Sequence, residues 1–354
     1  MLNFIFQRFF GMIITLAVVT IMIFIIMELP PGDYAERYVF RKFSGTGQVV
    51  SEADIENVRI DLGLDRPAWQ RYLSWMGLYP NKATLCTDRP NLEIGDNVFC
   101  GILQGNLGEA FAFETSVINV IGQRIWLTMA ILFSTLFITY LVSIPIGIYA
   151  AVNQRSAADY SLTLVSYLGL ALPNFLLALV LLYFAVTTFD ITVGGLFSPE
   201  FEDAPWSFAK MWDFMSHLII PGGVLAWSAT ALQLQTIRAT MLDEINQLSV
   251  TAARARGIPE TKLLIKYPAR LALNPVVGSI GFDVNRIFSE LPIVALVLNL
   301  SDMGQLLLAS FIDQDTFVVG AILLILTTII VLMNFVSDIM LAYLDPRIRL
   351  ATTK

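Results

Sequence analysis

The sequence predicts an all-α integral membrane protein with six transmembrane helices and both termini on the cytoplasmic side. Three observations carry this expectation. Of 354 residues, 56% are hydrophobic and 14% charged, against about 25% charged in an ordinary soluble domain. Apolar runs of spanning length recur along the chain, and the sparse charges sort by sign between the segments that join them. The same composition argues against other classes. Twenty-four Phe and six Trp do not suit disorder, two Cys do not make a disulfide scaffold, and a formal net charge of −7 disfavours nucleic acid as a partner.

A spanning helix needs about 20 mostly apolar residues. Residues 9–27 form the first such run, preceded by Arg8. Its length of 19 residues without a charge exceeds the ~7 to 15 of a signal-peptide core, and it ends in Glu-Leu-Pro-Pro-Gly without a small-x-small cleavage pattern. It is expected to stay as an anchor, so residues 1–29 make the first unit. Residues 30–122 are far longer than the usual connection of ~4 to 6 and should form an extracytoplasmic loop domain. Within it Asp65 is placed to cap a helix starting near Pro67, with Trp69, Tyr72, Leu73 and Met76 at i, i+3, i+4, i+7. Such a helix would lie on the bilayer interface or on the first span, with partner docking as the sharper alternative. Cys86 and Cys100, the only cysteines, fall in the same segment, and a disulfide between them is expected outside the cytoplasm. Their spacing has no zinc logic. The single His217 reads as a hydrogen-bonded residue at a membrane interface, so no metal site is expected.

Residues 125–152 and 160–189 are the second and third runs. Residues 218–237 are just long enough, but Gln233 and Gln235 must then face protein or a water-filled cavity. Residues 275–300 have the right length yet carry Asp283, Arg286 and Glu290. These are spaced i, i+3, i+7, on one helix face. A charge at mid-bilayer costs about 2.5 to 3.5 kcal/mol even on the gentlest scale, so the three must pair with one another or meet water. One reading is an internal ion pair that fixes packing. The other is a cavity wall, in which Arg286 meets a solute carboxylate and Asp283 or Glu290 an amino group. The last run is 316–337, where Asn334 and Asp338 should bond a neighbouring helix.

Orientation follows from the charges. With the amino terminus inside, the inner segments carry Arg8, Arg155, Arg238, Arg254, Arg256, Lys262, Lys266, Arg270, Arg347, Arg349 and Lys354 against five acidic residues. Outside, segments 30–122 and 189–217 hold seventeen acidic and nine basic residues. An even number of spans satisfies both ends.

The longest inner connection, residues 239–275, ends a first helix near Arg256, with Gly257 as its cap, and starts a second at Pro259 and Glu260. Ala252, Ala253 and Ala255 admit a close neighbour, while Leu263, Leu264 and Tyr267 line one apolar face. A helical elbow of this kind suits rigid contact with a soluble motor. No nucleophile–base pair, phosphate-binding glycine loop or paired carboxylates with acid/base spacing is evident, so the chain is expected not to be catalytic by itself.

Here the residues resemble a known family. Thr-Ala-Ala-Arg-Ala-Arg-Gly, from Thr251 to Gly257, resembles the coupling motif Glu-Ala-Ala-x-x-x-Gly of permease subunits in binding-protein-dependent ABC importers. Leu-Pro-Pro-Gly-Asp at 29–33, Leu-Gly-Leu-Asp-Arg-Pro at 62–67, Gly-Asn-Leu-Gly at 105–108, His-Leu-Ile-Ile-Pro at 217–221 and Leu-Asp-Pro-Arg-Ile-Arg at 344–349 are similar to the dipeptide/oligopeptide/nickel branch. The resemblance implies the type I importer fold. Residues 123–350 would be a five-helix permease core and 351–354 a tail, in a multi-pass protein of the bacterial inner membrane. It implies a second homologous permease, two ATP-binding subunits seated on the elbow residues Thr251, Ala252, Ala253, Gly257, Pro259, Leu263, Leu264 and Tyr267, and an extracytoplasmic binding protein. Cofactors would be none in this chain, with ATP and Mg on the partner subunits. Departures are visible. Thr251 replaces the acidic residue of the motif, Tyr267 stands where the branch often has His, the fifth span reads Glu290-Leu-Pro-Ile-Val-Ala295, and residues 78–104 resemble an insertion. The competing expectations are an ion-driven secondary transporter using the charged face, which should show an inverted repeat, and a membrane enzyme.

Overall fold

The computed structural model describes residues 2–29, 35–36, 39–40, 51–61, 63–81, 92–94, 97–110, 112–113, 115–189, 195, 197–198, 200–201 and 204–345. In chain order the helices and strands are α1 (Leu2–Glu28), α2 (Glu52–Asp61), α3 (Ala68–Met76), β1 (Leu92–Ile94), β2 (Asn97–Phe99), β3 (Glu109–Ala110), β4 (Thr115–Ser116), α4 (Val117–Val152), α5 (Ala157–Ala171), α6 (Asn174–Phe189), α7 (Phe208–Ile245), α8 (Leu248–Ala255), α9 (Glu260–Leu264), α10 (Arg270–Ala272), α11 (Asn274–Gly278), α12 (Ile280–Val297), α13 (Met303–Ile312) and α14 (Thr316–Leu344). A turn of π-helix at Ile265–Ala269 links α9 to α10. Contacts divide the chain into two compact units. One comprises Met1–Leu16, Ile125–Leu306 and Leu326–Lys354; the other comprises Ala17–Arg124 and Leu307–Ile325.

The second unit holds the segment expected outside the membrane. Its two hairpins are short: β1 pairs β2 antiparallel through Leu92↔Phe99, Glu93↔Val98 and Ile94↔Asn97, and β3 pairs β4. Helix α3 begins at Ala68 with Pro67 in the capping position and no side-chain cap, so Asp65 does not perform the role expected of it. The helix lies on the first span. The Tyr72 and Thr20 hydroxyls bond at 2.8 Å, Arg71 pairs with Glu28 at 2.6 Å, and Phe24 packs edge-on against Tyr72. Trp69 remains exposed. Asn81 ties the hairpin to this helix by donating to the Ser74 and Cys100 carbonyls at 3.3 and 2.9 Å. Cys100 is disulfide-bonded; Cys86, its expected partner, lies outside the described residues, as do residues 30–33 and 346–349 of the quoted motifs.

The first unit is a helical bundle that contains a broken element. The run expected as one third span, residues 160–189, is two helices, α5 and α6, bent by 101°. The cause is local. Pro173 has no N–H to donate, and its ring disfavours helical geometry in the residue before it; Leu172 accordingly sits at φ −94°, ψ 122°. The fifth expected span is also interrupted, with Ser279 between α11 and α12. Among the described residues four helices are long and apolar enough to cross a membrane (α1, α4, α7 and α14), or five if the bent pair is one span. Helix α12 does not qualify, because it carries the three charges.

Arg238, Asp159 and Asp338 find partners inside the unit. Arg238 on α7 makes a two-pronged contact with Asp159 on α5, its Nε and Nη2 donating at 2.6 and 2.9 Å. The same carboxylate accepts from the Arg155 N–H at 2.9 Å, and Ser156 caps α5. Asp338 pairs with Arg8 at 3.3 Å. Asn334 sits over Gly281 so closely that a Cβ there would overlap its side-chain amide, a close approach that only a small residue permits.

Candidate functional site

The elbow is built from two short helices and a left-handed corner. Helix α8 ends at Ala255, Arg256 caps it by donating to the Ala252 carbonyl at 3.3 Å, and Gly257 turns the chain with φ 73°. A side chain at Gly257 would meet open space, so the glycine is there for its backbone and not for clearance. Pro259 then leads into α9. Val250, Ala253 and Leu263 form a small core of their own, covered by Ile258, Leu264 and Tyr267. This corrects one expectation. Leu263 is completely buried and Leu264 and Tyr267 are half-buried, so that face holds the elbow together instead of being presented outward. The outward surface consists of Thr251, Ala252, Gly257 and Pro259 with Arg254, Arg256 and Lys262. Two apolar side chains flank it, Leu248 at 86% exposure and Ile265 at 67%. Glu260 accepts from Arg254 at 2.6 and 3.2 Å across the corner. That hydrogen bond holds the Glu260 carboxyl below its ordinary range and the guanidinium above its own.

The charged face of α12 is not presented as one wall. Asp283 is 0% exposed. Its Oδ2 accepts from the Tyr140 hydroxyl of α4 and from Gln233 Nε2 of α7, both at 2.6 Å. Gln233 also donates to Ser279 at 2.8 Å. Arg286 lies 3.6 Å from Asp283 Oδ1 and is mostly buried. Glu290, two turns on, faces a different neighbourhood. It is part-exposed and accepts from Asn174 Nδ2 at the start of α6, which also donates to Ser228 Oγ at 3.1 Å. Tyr140 and Asn174 were not foreseen from sequence. Tyr140 sits unmarked in an apolar run, whereas Asn174, directly after Pro173, carried a signal: a capping-type residue at a break.

Comparison with known families settles the class. Residues 143–350 match the family described as binding-protein-dependent transport system inner membrane component, and residues 1–132 match its amino-terminal companion. The chain belongs to that permease family. It is therefore an inner-membrane permease of the peptide branch of ABC importers, as the motifs suggested. A putative peptide permease protein of Brucella ovis is 30% identical over 96% of this chain and 95% of its own length. The oligopeptide transport system permease protein AppB of Bacillus subtilis is 28% identical over 93% and 94%. The glutathione transport system permease protein GsiC of Escherichia coli is 26% identical over 99% of each.

Proposed function

We propose that this permease supplies half of the translocation pathway for a peptide-like solute and couples its passage to ATP hydrolysis on two partner subunits. The chain crosses the membrane six times, with α11 and α12 together as the fifth span and both termini cytoplasmic. Residues 30–122 are its extracytoplasmic domain, stapled by Cys86 and Cys100, and 123–350 its transport core. A second homologous permease completes the pore, a binding protein delivers the solute, and ATP and Mg are bound by the ATPase subunits alone. No step of ATP chemistry falls to this chain.

The observation that carries this reading is the elbow. A corner with its own three-residue core, Val250, Ala253 and Leu263, moves as one body. Its outward face combines a close-approach surface at Thr251 and Ala252 with positive charge and the exposed Leu248 and Ile265. A motor seated there would transmit its closure to α7 through Asn246 and to α12 through α10 and α11. Arg286 and Glu290 would meet the solute, while Asp283 holds Arg286 in place.

Affinity purification of the tagged chain from its own membranes, followed by reconstitution, tests the reading. The expected result is co-purification of two ATPase subunits and a second permease, and uptake that requires ATP and the binding protein. Uptake by the purified chain alone, driven by an ion gradient, would overturn it.

A further inference from the structure

The break between α5 and α6 is exposed on one side and polar on the other. Ala171, Leu172 and Pro173 lie open at the surface of the chain, whereas Asn174 beneath them is 6% exposed. Non-helical backbone within a membrane cannot face lipid, because its unpaired groups have no partner there; it is tolerated only against protein or lining a water-filled cavity. The exposed side of the break therefore faces the second permease or the passage.

On the inner side stand acceptors with too few donors. Asn174 Nδ2 donates to Glu290 Oε2 and Ser228 Oγ, with the Leu225 carbonyl 3.5 Å away. This fixes the amide with Oδ1 turned away from the carboxylate, and Oδ1 has no hydrogen-bond partner. A buried amide oxygen left unpaired is unfavourable unless something supplies a donor. Glu290 keeps part of its surface open beside it, and it lies 4 residues beyond Arg286, with which it forms no ion pair among the described residues. Asp283 already balances that arginine. Arg286 acts on both carboxylates but pairs with Asp283, so Glu290 has no ion pair of its own among the described residues.

We propose that Asn174 Oδ1, Glu290 and Ser228 form a recognition point for an ammonium group of the passing solute, at the break in the α5/α6 element. A primary ammonium brings three donors and no acceptor. It would satisfy the orphan amide oxygen, the serine oxygen and the carboxylate together. The inference rests on the peptide-permease reading and narrows it: the pathway favours solutes with a free amino terminus or a lysine-like side chain over blocked ones.

The test uses the whole importer, with its own ATPases and binding protein, in proteoliposomes. The probes are trialanine and N-acetyl-trialanine, and the quantity read is the ratio of their uptake rates. The binding protein is the same in every arm, so its preference cancels when variants are compared with wild type. Glu290→Gln is expected to lower the ratio about tenfold or more, since a charged hydrogen bond is lost; Glu290→Asp should keep it close to wild type, and Ser228→Ala should lower it less. Co-purification of all subunits with each variant reports assembly. Equal loss of both probes, with the ratio unchanged, would show the cluster to be structural and overturn the proposal while leaving the peptide reading intact. Import of neither probe by wild type would overturn the peptide reading, and the proposal with it.

Discussion

Gly257 shows how one residue sets the elbow. Its φ of 73° costs a residue with a Cβ about 1 to 2 kcal/mol, and a β-branched residue more. Since nothing crowds the position, the penalty is purely of backbone. Gly257→Val should therefore lose most ATP-driven uptake, whereas Gly257→Asn, which tolerates the left-handed region, should retain most of it. Uptake assays on matched amounts of assembled complex check the pair. Asp283 is the second decisive residue. Replacing it with Ala strands Arg286 in a buried site and leaves Tyr140 and Gln233 without their acceptor, a loss of about 3 to 5 kcal/mol. The double change Asp283→Leu, Arg286→Leu removes both charges and should recover a large part of that loss, so thermal unfolding of the purified complex should show strong non-additivity. The three charges on one helix face were legible in the sequence. Their division into a buried pair and an open carboxylate was not, because it depends on Tyr140, Gln233 and Asn174, which come from three other helices.

At the scale of elements, the two interrupted helices matter most. Hydropathy reads residues 160–189 as one span, since Pro173 hardly alters the sum, yet the proline bends the element by 101° and creates the exposed break. The corner itself is well marked, by Gly257, Pro259 and the alanines between Thr251 and Ala255; the inward direction of Ala253 and of the Leu263, Leu264 and Tyr267 face is not, because a five-residue helix has no amphipathic pattern long enough to show which face is inside. Leu263→Ala empties the core of the elbow and should cost about 2 to 5 kcal/mol locally, seen as faster amide exchange over α8 and α9. The Arg254–Glu260 pair adds a pH dependence. Glu260 is held below its ordinary range, so its contribution is present above the unfolded glutamate value of about 4.3 and is lost as pH falls through the lower folded value. Both groups are exposed, and the effect should be small and suppressed by salt. Protection at the corner, taken relative to the intrinsic exchange rate at each pH, should fall on acidification in wild type and be insensitive in Glu260→Gln.

For the whole molecule, topology is what composition indicated first. Partitioning the charges gave basic inner and acidic outer segments, and family membership agrees with a multi-pass permease, while the helices themselves supply four or five clear spans. The remaining span of the proposed topology would rest on α12, whose three charges hide it from any hydropathy argument. The most direct measurement of the central claim is site-specific crosslinking from Ala252→Cys in the intact complex, with the natural cysteines left as they are. The account predicts a crosslink to an ATPase subunit, stronger with ATP bound and weakened in Gly257→Val. A crosslink absent in an assembled, transporting complex would contradict it.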